Sequence, residues 1–356
     1  MMSKLNMVKL KKIFVGHKAT SGIVGKIAVY ALLIGVSYIF LYPLIRMISL
    51  SFLTQADIAN PEVDWIPTQL NFANYVVANR VLQLFPPSLA TFSDNAFRAI
   101  FGIFKDGGNL WKSMKNTAIL AIIQTIIASF TGFAFARYEF KFKKFWFAMV
   151  LISFIIPLPM VTIPRVMIFF DLQDTVWIPF IELIKGSFLE SIFKPRLFNT
   201  IFPQATLTFF GQGINGAILI LIFYNFFKMI PISLDEAARI DGATSPQVFW
   251  HIYVKLVVPI IITVFLFSFV WNWNDVYSAQ VYYWDKNPLI TTRLGAFDSQ
   301  FGDLAGAIPG QGGEARLNEA YRMAATFLSI LPLLIMYVLA QRKFIEGIER
   351  TGMTGE

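Results

Sequence analysis

The chain has 356 residues, of which 56% are hydrophobic, 16% aromatic and only 15% charged, against about a quarter charged in an ordinary soluble domain. That deficit excludes both a conventional water-facing surface and a disordered chain, so the surplus apolar sequence requires lipid. The net charge of +8 points to anionic lipid headgroups and no nucleic acid once its location is considered. With no cysteine, and with His17 and His251 far apart, no disulfide, thiolate site, histidine metal centre or cofactor is expected.

A crossing helix needs about 20 apolar residues, each rising about 1.5 Å through a core about 30 Å thick. Residues 1–26 carry Lys4, Lys9, Lys11, Lys12, Lys18 and Lys26 without Asp or Glu, and are expected to form a basic cytoplasmic segment. The first crossing is expected at about 27–50. It begins too late and runs too long for a cleaved signal peptide, and no small-x-small site precedes the polar loop. In the outer segment 54–115, Asp57, Glu62, Asp64, Asp94 and Asp106 offset five basic residues.

The second crossing is expected at about 113–136. Its Asn116, Gln124 and Thr125 either line a path or bond neighbouring helices, the commoner use. A short basic connection runs from Arg137 to Lys144. The third crossing, about 145–169, contains Pro157, Pro159 and Pro164, which predict a kink or break. In the outer segment 170–212, apolar spacing over 180–193 predicts an amphipathic helix on the outer leaflet or on the bundle. The uncharged run 197–227 is too long for one crossing, and its polar, Gly-rich first part leaves the fourth at about 213–228.

Residues 231–258 form the most informative loop. Ser233 and Glu236 predict a capping box that opens a short helix over Ala237 and Ala238. Gly242 is expected to close that helix in the left-handed conformation. Ser245 as cap, with Pro246 at the first helical position, predicts a second arm with Phe249, Ile252, Tyr253 and Leu256 on its apolar face. The small alanines let another protein approach the backbone.

The fifth crossing, about 256–275, ends on Trp271, Trp273, Asn274 and Asp275. Those residues suit either an aromatic belt at the outer interface or a sugar path, since aromatic faces stack on sugars and Asn and Asp bond hydroxyls. In the outer segment 275–322, Gly310 to Gly313 predict a flexible turn and no phosphate cradle, because no strand precedes them. A sixth crossing, about 322–341, and a short cytoplasmic tail, 342–356, complete the chain. The expected fold is thus an all-α integral membrane protein with six transmembrane helices and enlarged outer loops. Both termini and every basic connection fall on the cytoplasmic side.

No Walker A, H-E-x-x-H or G-x-S-x-G pattern occurs, so ATP binding by a P-loop and the commonest hydrolase readings are excluded, and no enzyme activity is expected. The charge-free runs within the six crossings, 27–45, 116–136, 145–164, 213–227, 256–274 and 323–341, contain no Asp, Glu, Lys, Arg or His, which argues against a proton-driven transporter.

Glu236-Ala237-Ala238, Asp241-Gly242-Ala243, then Phe249, Ile252 and Pro259, resemble the EAA coupling loop of the inner-membrane permease subunits of ABC importers. Tyr42-Pro43, the Phe133 to Tyr138 segment, Trp271 to Asp275, Leu331-Pro332 and the Gln341 to Gly347 segment resemble the carbohydrate-type permeases, specifically the six-helix partner similar to the second maltose permease subunit. Lys255 stands where relatives usually have Pro and leaves open how the second arm bends.

The resemblance implies a bacterial cytoplasmic-membrane subunit that moves a carbohydrate, an oligosaccharide first of all. Its implied partners are a second homologous permease, two ATP-binding subunits and an extracytoplasmic solute-binding protein. It also implies that Glu236, Ala237, Ala238, Asp241, Gly242, Ala243 and Phe249 couple to the ATPase. A non-sugar ABC permease and an uncoupled channel remain the alternatives.

Overall fold

The computed structural model describes residues 23–85, 108–187, 196–284, 289–304 and 318–352, and among these the regular structure is helical throughout. In chain order the principal helices are α1 (Ile23–Leu50), α2 (Asn109–Arg137), α3 (Lys143–Ile155), α4 (Leu158–Leu172), α5 (Phe202–Phe209), α6 (Gly216–Met229), α7 (Ile232–Ile240), α8 (Ser245–Val248), α9 (Val258–Trp273), α10 (Val276–Tyr282) and α11 (Glu319–Gly352). Helices α1, α2 and the 319–342 part of α11 are long and apolar enough to cross a membrane. Three further pairs qualify only as broken spans. They are α3 with the Leu158–Leu183 segment, bent by 104°, α6 with α7, bent by 69°, and the Ser245–Leu256 segment with α9, bent by 77°.

Of the described residues, those within 1–78 and 305–328 form the first compact unit. In it α1 exposes nearly its whole length, with Met47 its buried residue, as expected of a helix whose solvent is lipid. Beyond α1 the chain is tied down by polar groups. Asn74 donates to the carbonyls of Ser51 (2.8 Å) and Leu53 (2.9 Å). Thr54 and Asp57 close a capping box on the helix Gln55–Ala59. Hydrogen bonds from Thr68 and Thr54 hold the Asp57 carboxyl below the usual carboxylate range.

The second unit, the described residues within 79–304 and 329–356, is organised on α2. Leu120, Ala121, Gln124, Thr125, Ala128, Ser129, Gly132 and Phe133 are buried along it, a stripe repeating every four residues that is small and polar at most positions. Small residues let helices approach closely where lipid removes the hydrophobic incentive. At Gly132 the approach is extreme: a Cβ there would lie 2.6 Å from Phe223 Cβ and 2.9 Å from the Tyr224 nitrogen. Leu219, Ile220, Phe223 and Phe227 of α6 and Ile260 and Val264 of α9 pack into the same core.

One polar network stitches α2 to α9. The Gln124 carbonyl accepts from Ser268 Oγ (2.6 Å) and Asn272 Nδ2 (2.9 Å), while its amide donates to the Ile214 carbonyl at 2.5 Å. Asn116 donates to the Tyr283 hydroxyl, and Thr125 bonds back to its own helix at Ala121. The expected interhelical role therefore holds for Asn116 and Gln124.

One sequence expectation holds and another changes. Of the three prolines, Pro157 breaks the third segment. Pro164 lies inside α4 without ending it, because one missing hydrogen bond can be absorbed where the helix is otherwise supported. The amphipathic helix expected over 180–193 runs from Ile178 to Leu183 and ends in a turn whose Gly186 has φ +82°. Residues 188–193, like Gly310–Gly313, lie outside the described residues.

Candidate functional site

The segment from Pro231 to Val257 leaves α6, turns back on itself and enters α9. Helix α7 begins at Ile232 with Pro231 in the cap position and no side-chain cap. The expected Ser233–Glu236 capping box is therefore absent. Pro231, with its fixed φ of −58° and extended ψ of 136°, already occupies the cap. Ser233 falls inside the first turn, where a side chain cannot reach forward to the third amide.

The helix ends as expected. Gly242 adopts φ +81°, its N–H donates to the Arg239 carbonyl (3.1 Å), and the Ala243 N–H donates to the Ala238 carbonyl (2.9 Å). This pair of bonds is the Schellman closure, which needs a left-handed residue. Nothing lies within 4 Å of a Cβ added at Gly242, so only its backbone conformation restricts the position. Gly242→Val is expected to destabilise the turn by about 1–2 kcal/mol. That corresponds to roughly tenfold faster trypsin cleavage at the exposed Arg239 if cleavage follows local opening. Gly242→Asn is expected to do less harm, and equal cleavage of all three proteins would refute a left-handed requirement.

The second arm starts one residue earlier than expected. Thr244 is the cap, Gln247 accepts from its N–H at 2.7 Å, and Ser245 and Pro246 occupy the first two helical positions. A π-helical turn over Phe249–Tyr253 follows. Its extra residue per turn rotates the apolar face, so Val248, Phe249, Tyr253 and Val257 are buried while Leu256 is exposed. The bend into α9 falls at Val257, with Pro259 in the first turn of α9, so the chain turns without a proline at Lys255.

The loop is rooted in the bundle by aromatic packing and by one cation. Phe249 lies 4.8 Å from Phe133, ring centre to ring centre, and Tyr253 lies 4.9 Å from the same ring. Arg137, the last residue of α2, donates to the carbonyls of Phe227 (2.5 Å) and Ile230 at the C-terminal end of α6, where helical carbonyls run short of partners and Phe227 otherwise accepts from the Ile230 N–H (3.3 Å). Its guanidinium stands 4.9 Å over the Tyr253 ring. Residue spacing alone identifies Arg137 only as a basic residue in a connection; its pairing needs α6 and the loop in place.

The expected site residues therefore separate. Ala238 and Phe249 are buried in the core, and Ala243 packs partly against it. Glu236, Ala237, Asp241 and Gly242 are exposed, beside Ile232 and Ile240, the latter 86% exposed. At the end of α9, Trp271 stacks on Phe267 and buried Trp273 on Phe269, while Asn274 bonds the Val270 carbonyl. Of the four, Asp275 faces a small polar cleft of about 30 Å³ shared with Arg165, Gln204, Gln212 and Asn272.

Residues 124–349, well over half of the chain, match the family described as binding-protein-dependent transport system inner membrane component. The chain belongs to this family. It is a membrane-spanning transport subunit with the helical permease fold of ABC transporters. A probable ABC transporter permease of Pyrococcus horikoshii is 27% identical over 242 residues, 67% of this chain and 73% of that one. An arabinooligosaccharide transport system permease of Halalkalibacterium halodurans is 23% identical over 324 residues, 90% of this chain and 93% of that one. Among solved structures, a bacterial ABC transporter involved in import of the acidic polysaccharide alginate has a chain with TM-score 0.57 and 20% identity. That match covers 89% of this inner membrane component and 95% of the other chain.

Proposed function

We propose that this chain is the six-crossing permease subunit of an ATP-driven bacterial importer that translocates a carbohydrate, an oligosaccharide first of all, handed over by a solute-binding protein. Family membership, together with the arabinooligosaccharide and alginate systems to which the chain is similar, supports this substrate class. The permease domain spans 27–341, with the broken pairs α3–α4, α6 and α9 as single crossings and both termini in the cytoplasm. Labelling at residue 141 by an impermeant reagent in intact cells, after Lys141→Cys in this cysteine-free chain, would contradict that orientation.

The observation that carries the coupling role is the two-sided loop. One side roots Ala238, Phe249 and Tyr253 in the core, and the other presents Glu236, Ala237, Ile240 and Asp241. A rigid, outward-facing helix of this kind suits a cleft on a separate ATPase. Two copies of that ATPase, with a second homologous permease, would complete the transporter, in which ATP-driven closure moves the loops and opens the path outward. No residue of this chain takes part in hydrolysis.

The test is uptake of labelled arabinotriose, maltotriose and an alginate trisaccharide by the reconstituted transporter, with ATPase rate measured in parallel. ATP-dependent uptake of at least one supports the reading, and uptake of none refutes the carbohydrate class. Within the coupling role, Glu236→Gln is expected to weaken sugar-stimulated ATPase activity modestly. Glu236→Lys is expected to weaken it severalfold, because it reverses the charge on the exposed face that α7 presents. Full stimulation in Glu236→Lys would remove this residue from the interface.

A further inference from the structure

The second unit holds a cavity of about 530 Å³ on the segments that follow α4 and α10, a volume in the range of small-molecule sites. A π-helical turn over Gln173–Trp177 joins α4 to the helix Ile178–Leu183, and such turns are frequent at functional sites. Phe170 precedes the turn, Gln173 opens it, and Ile178, Ile181 and Glu182 follow it on the cavity wall. Arg196, Phe198, Asn199 and Trp284 supply the rest of the lining. Asn199 is a left-handed residue, with φ +61°. Its N–H donates to the Tyr282 carbonyl (2.9 Å) and its Oδ1 accepts from the Trp284 N–H (2.7 Å), so the bend at Asn199 positions Trp284.

Three rings form a shelf in this cavity. Buried Phe198 lies 4.5 Å from the Trp284 ring and 4.6 Å from the Phe170 ring, centre to centre. Trp284 Nε1 donates to the Val281 carbonyl at 2.6 Å, which fixes the indole. Trp284 and Phe170 nevertheless stay 50% and 41% exposed. Polar groups share the lining with them. The Gln173 carbonyl accepts from the Leu197 N–H (3.1 Å) and leaves the carboxamide NH2 as a donor. Glu182 and Arg196 are exposed, and neither forms an ion pair among the described residues. The cavity therefore combines open aromatic faces with an acceptor-only carboxylate, a donor-only guanidinium and a carboxamide. A sugar unit has the matching chemistry: its C–H face meets the negative face of a ring, and its hydroxyls both donate and accept. A phosphate headgroup would favour clustered cations, and a uronate would meet Glu182 as well as Arg196.

We propose that this cavity is a carbohydrate-binding site on the outer face of the subunit, apart from the membrane-spanning segments, in which a neutral sugar unit rests on Phe170 and Trp284 while Glu182 and Arg196 bond its hydroxyls. The chemical class rests on the carbohydrate reading; the cavity and its aromatic shelf do not. None of these residues lies in the coupling loop, in the cluster at Trp271 to Asn274 or in the small polar cleft at Asp275.

The cysteine-free chain allows a direct test in the assembled transporter in nanodiscs, without the solute-binding protein, so that sugar reaches the cavity from solution. Ile178→Cys lies on the cavity wall, and Leu183→Cys, 84% exposed at the end of the same helix, lies outside it. Both are labelled with an anionic thiosulfonate and read by mass on this subunit. Arabinotriose, maltotriose and the alginate trisaccharide are each titrated to about 100 mM. A neutral sugar that the transporter carries is expected to slow labelling of Ile178→Cys at least about threefold and to leave Leu183→Cys unchanged. Added to Ile178→Cys, Arg196→Gln and Trp284→Leu should each raise the half-protecting concentration roughly tenfold, and Trp284→Phe less. Protection that survives both Arg196→Gln and Trp284→Leu would place the sugar elsewhere and overturn the site. So would a wild-type Ile178→Cys that fails to label while Leu183→Cys reacts, because lipid or another subunit then fills the cavity. Protection by the alginate trisaccharide alone would overturn the neutral class. No protection by any sugar, in a transporter that carries at least one, would remove the site and leave the carbohydrate reading intact. If none of the three is carried, the carbohydrate class fails, and the sugar assigned to this cavity fails with it.

Discussion

Gly132→Val is expected to prevent the chain from accumulating as a folded membrane protein. The added Cβ would stand 2.6 Å from Phe223 Cβ, 2.9 Å from the Tyr224 nitrogen and 3.0 Å from the Ile220 carbonyl. Two of these three neighbours are backbone atoms of α6, so no rotamer change relieves the contact and the helices must separate. Overpacking of a fitted core costs about 1–3 kcal/mol, and a β-branched side chain wedged against backbone belongs at or above the upper end. Separation would also pull α6 from the stripe on α2 on which Leu219, Phe223 and Phe227 depend. The measurement is the yield of monodisperse protein after mild detergent extraction, with Gly132→Ala as the graded intermediate. Normal yield of Gly132→Val would show that α2 and α6 do not approach as closely as the structure has them.

Arg137→Met is expected to leave the chain inserted but to break the link between the bundle and the loop. Methionine keeps much of the stem and loses the donors, so the Ile230 carbonyl loses its side-chain partner and the Phe227 carbonyl is left with the Ile230 N–H at 3.3 Å. Each unsatisfied buried group costs about 1–3 kcal/mol, and the stacking over Tyr253 is lost as well. The loop should then move independently of α2. The expected result is near-complete loss of sugar uptake, with ATPase activity no longer responding to loaded binding protein and extraction yield close to wild type. Arg137→Lys should restore little, because one ammonium cannot reproduce the forked geometry that serves two carbonyls. Uptake by Arg137→Met at the wild-type rate would show that the loop needs no such clasp.

Much of this protein is legible in its amino-acid sequence, for reasons that can be named residue by residue. Composition alone demands lipid. The left-handed closure at Gly242 is readable because a helix terminus depends on neighbours in sequence, and the same holds for the break at Pro157. Local rules misplace the details of the loop. Pro231 pre-empts Ser233 as cap, Thr244 pre-empts Ser245, and the π turn at Phe249 rotates the buried face by one residue. In each case neighbouring residues could serve, and packing of Ala238, Val248 and Tyr253 against Phe133 and Phe227 decides between them.

Arg165 shows a different limit. It stands one residue past a charge-free run, so a scan for intramembrane charge passes over it, although α4 continues through it to Leu172. Its distance in sequence from Gln212 and Asp275 hides the cleft that they share. Sequence by itself determined the solvent, the helical class and the glycine-closed first arm of the loop, because these follow from hydropathy and short-range backbone geometry. Only the tertiary structure decided that Gly132 is a contact point and that Arg137 is a clasp. It alone decided that Ala238 and Phe249 face inward while Glu236 and Asp241 face out. Those assignments depend on helices far apart in the chain meeting at distances of a few ångströms, where one methyl group or one carbonyl changes the outcome.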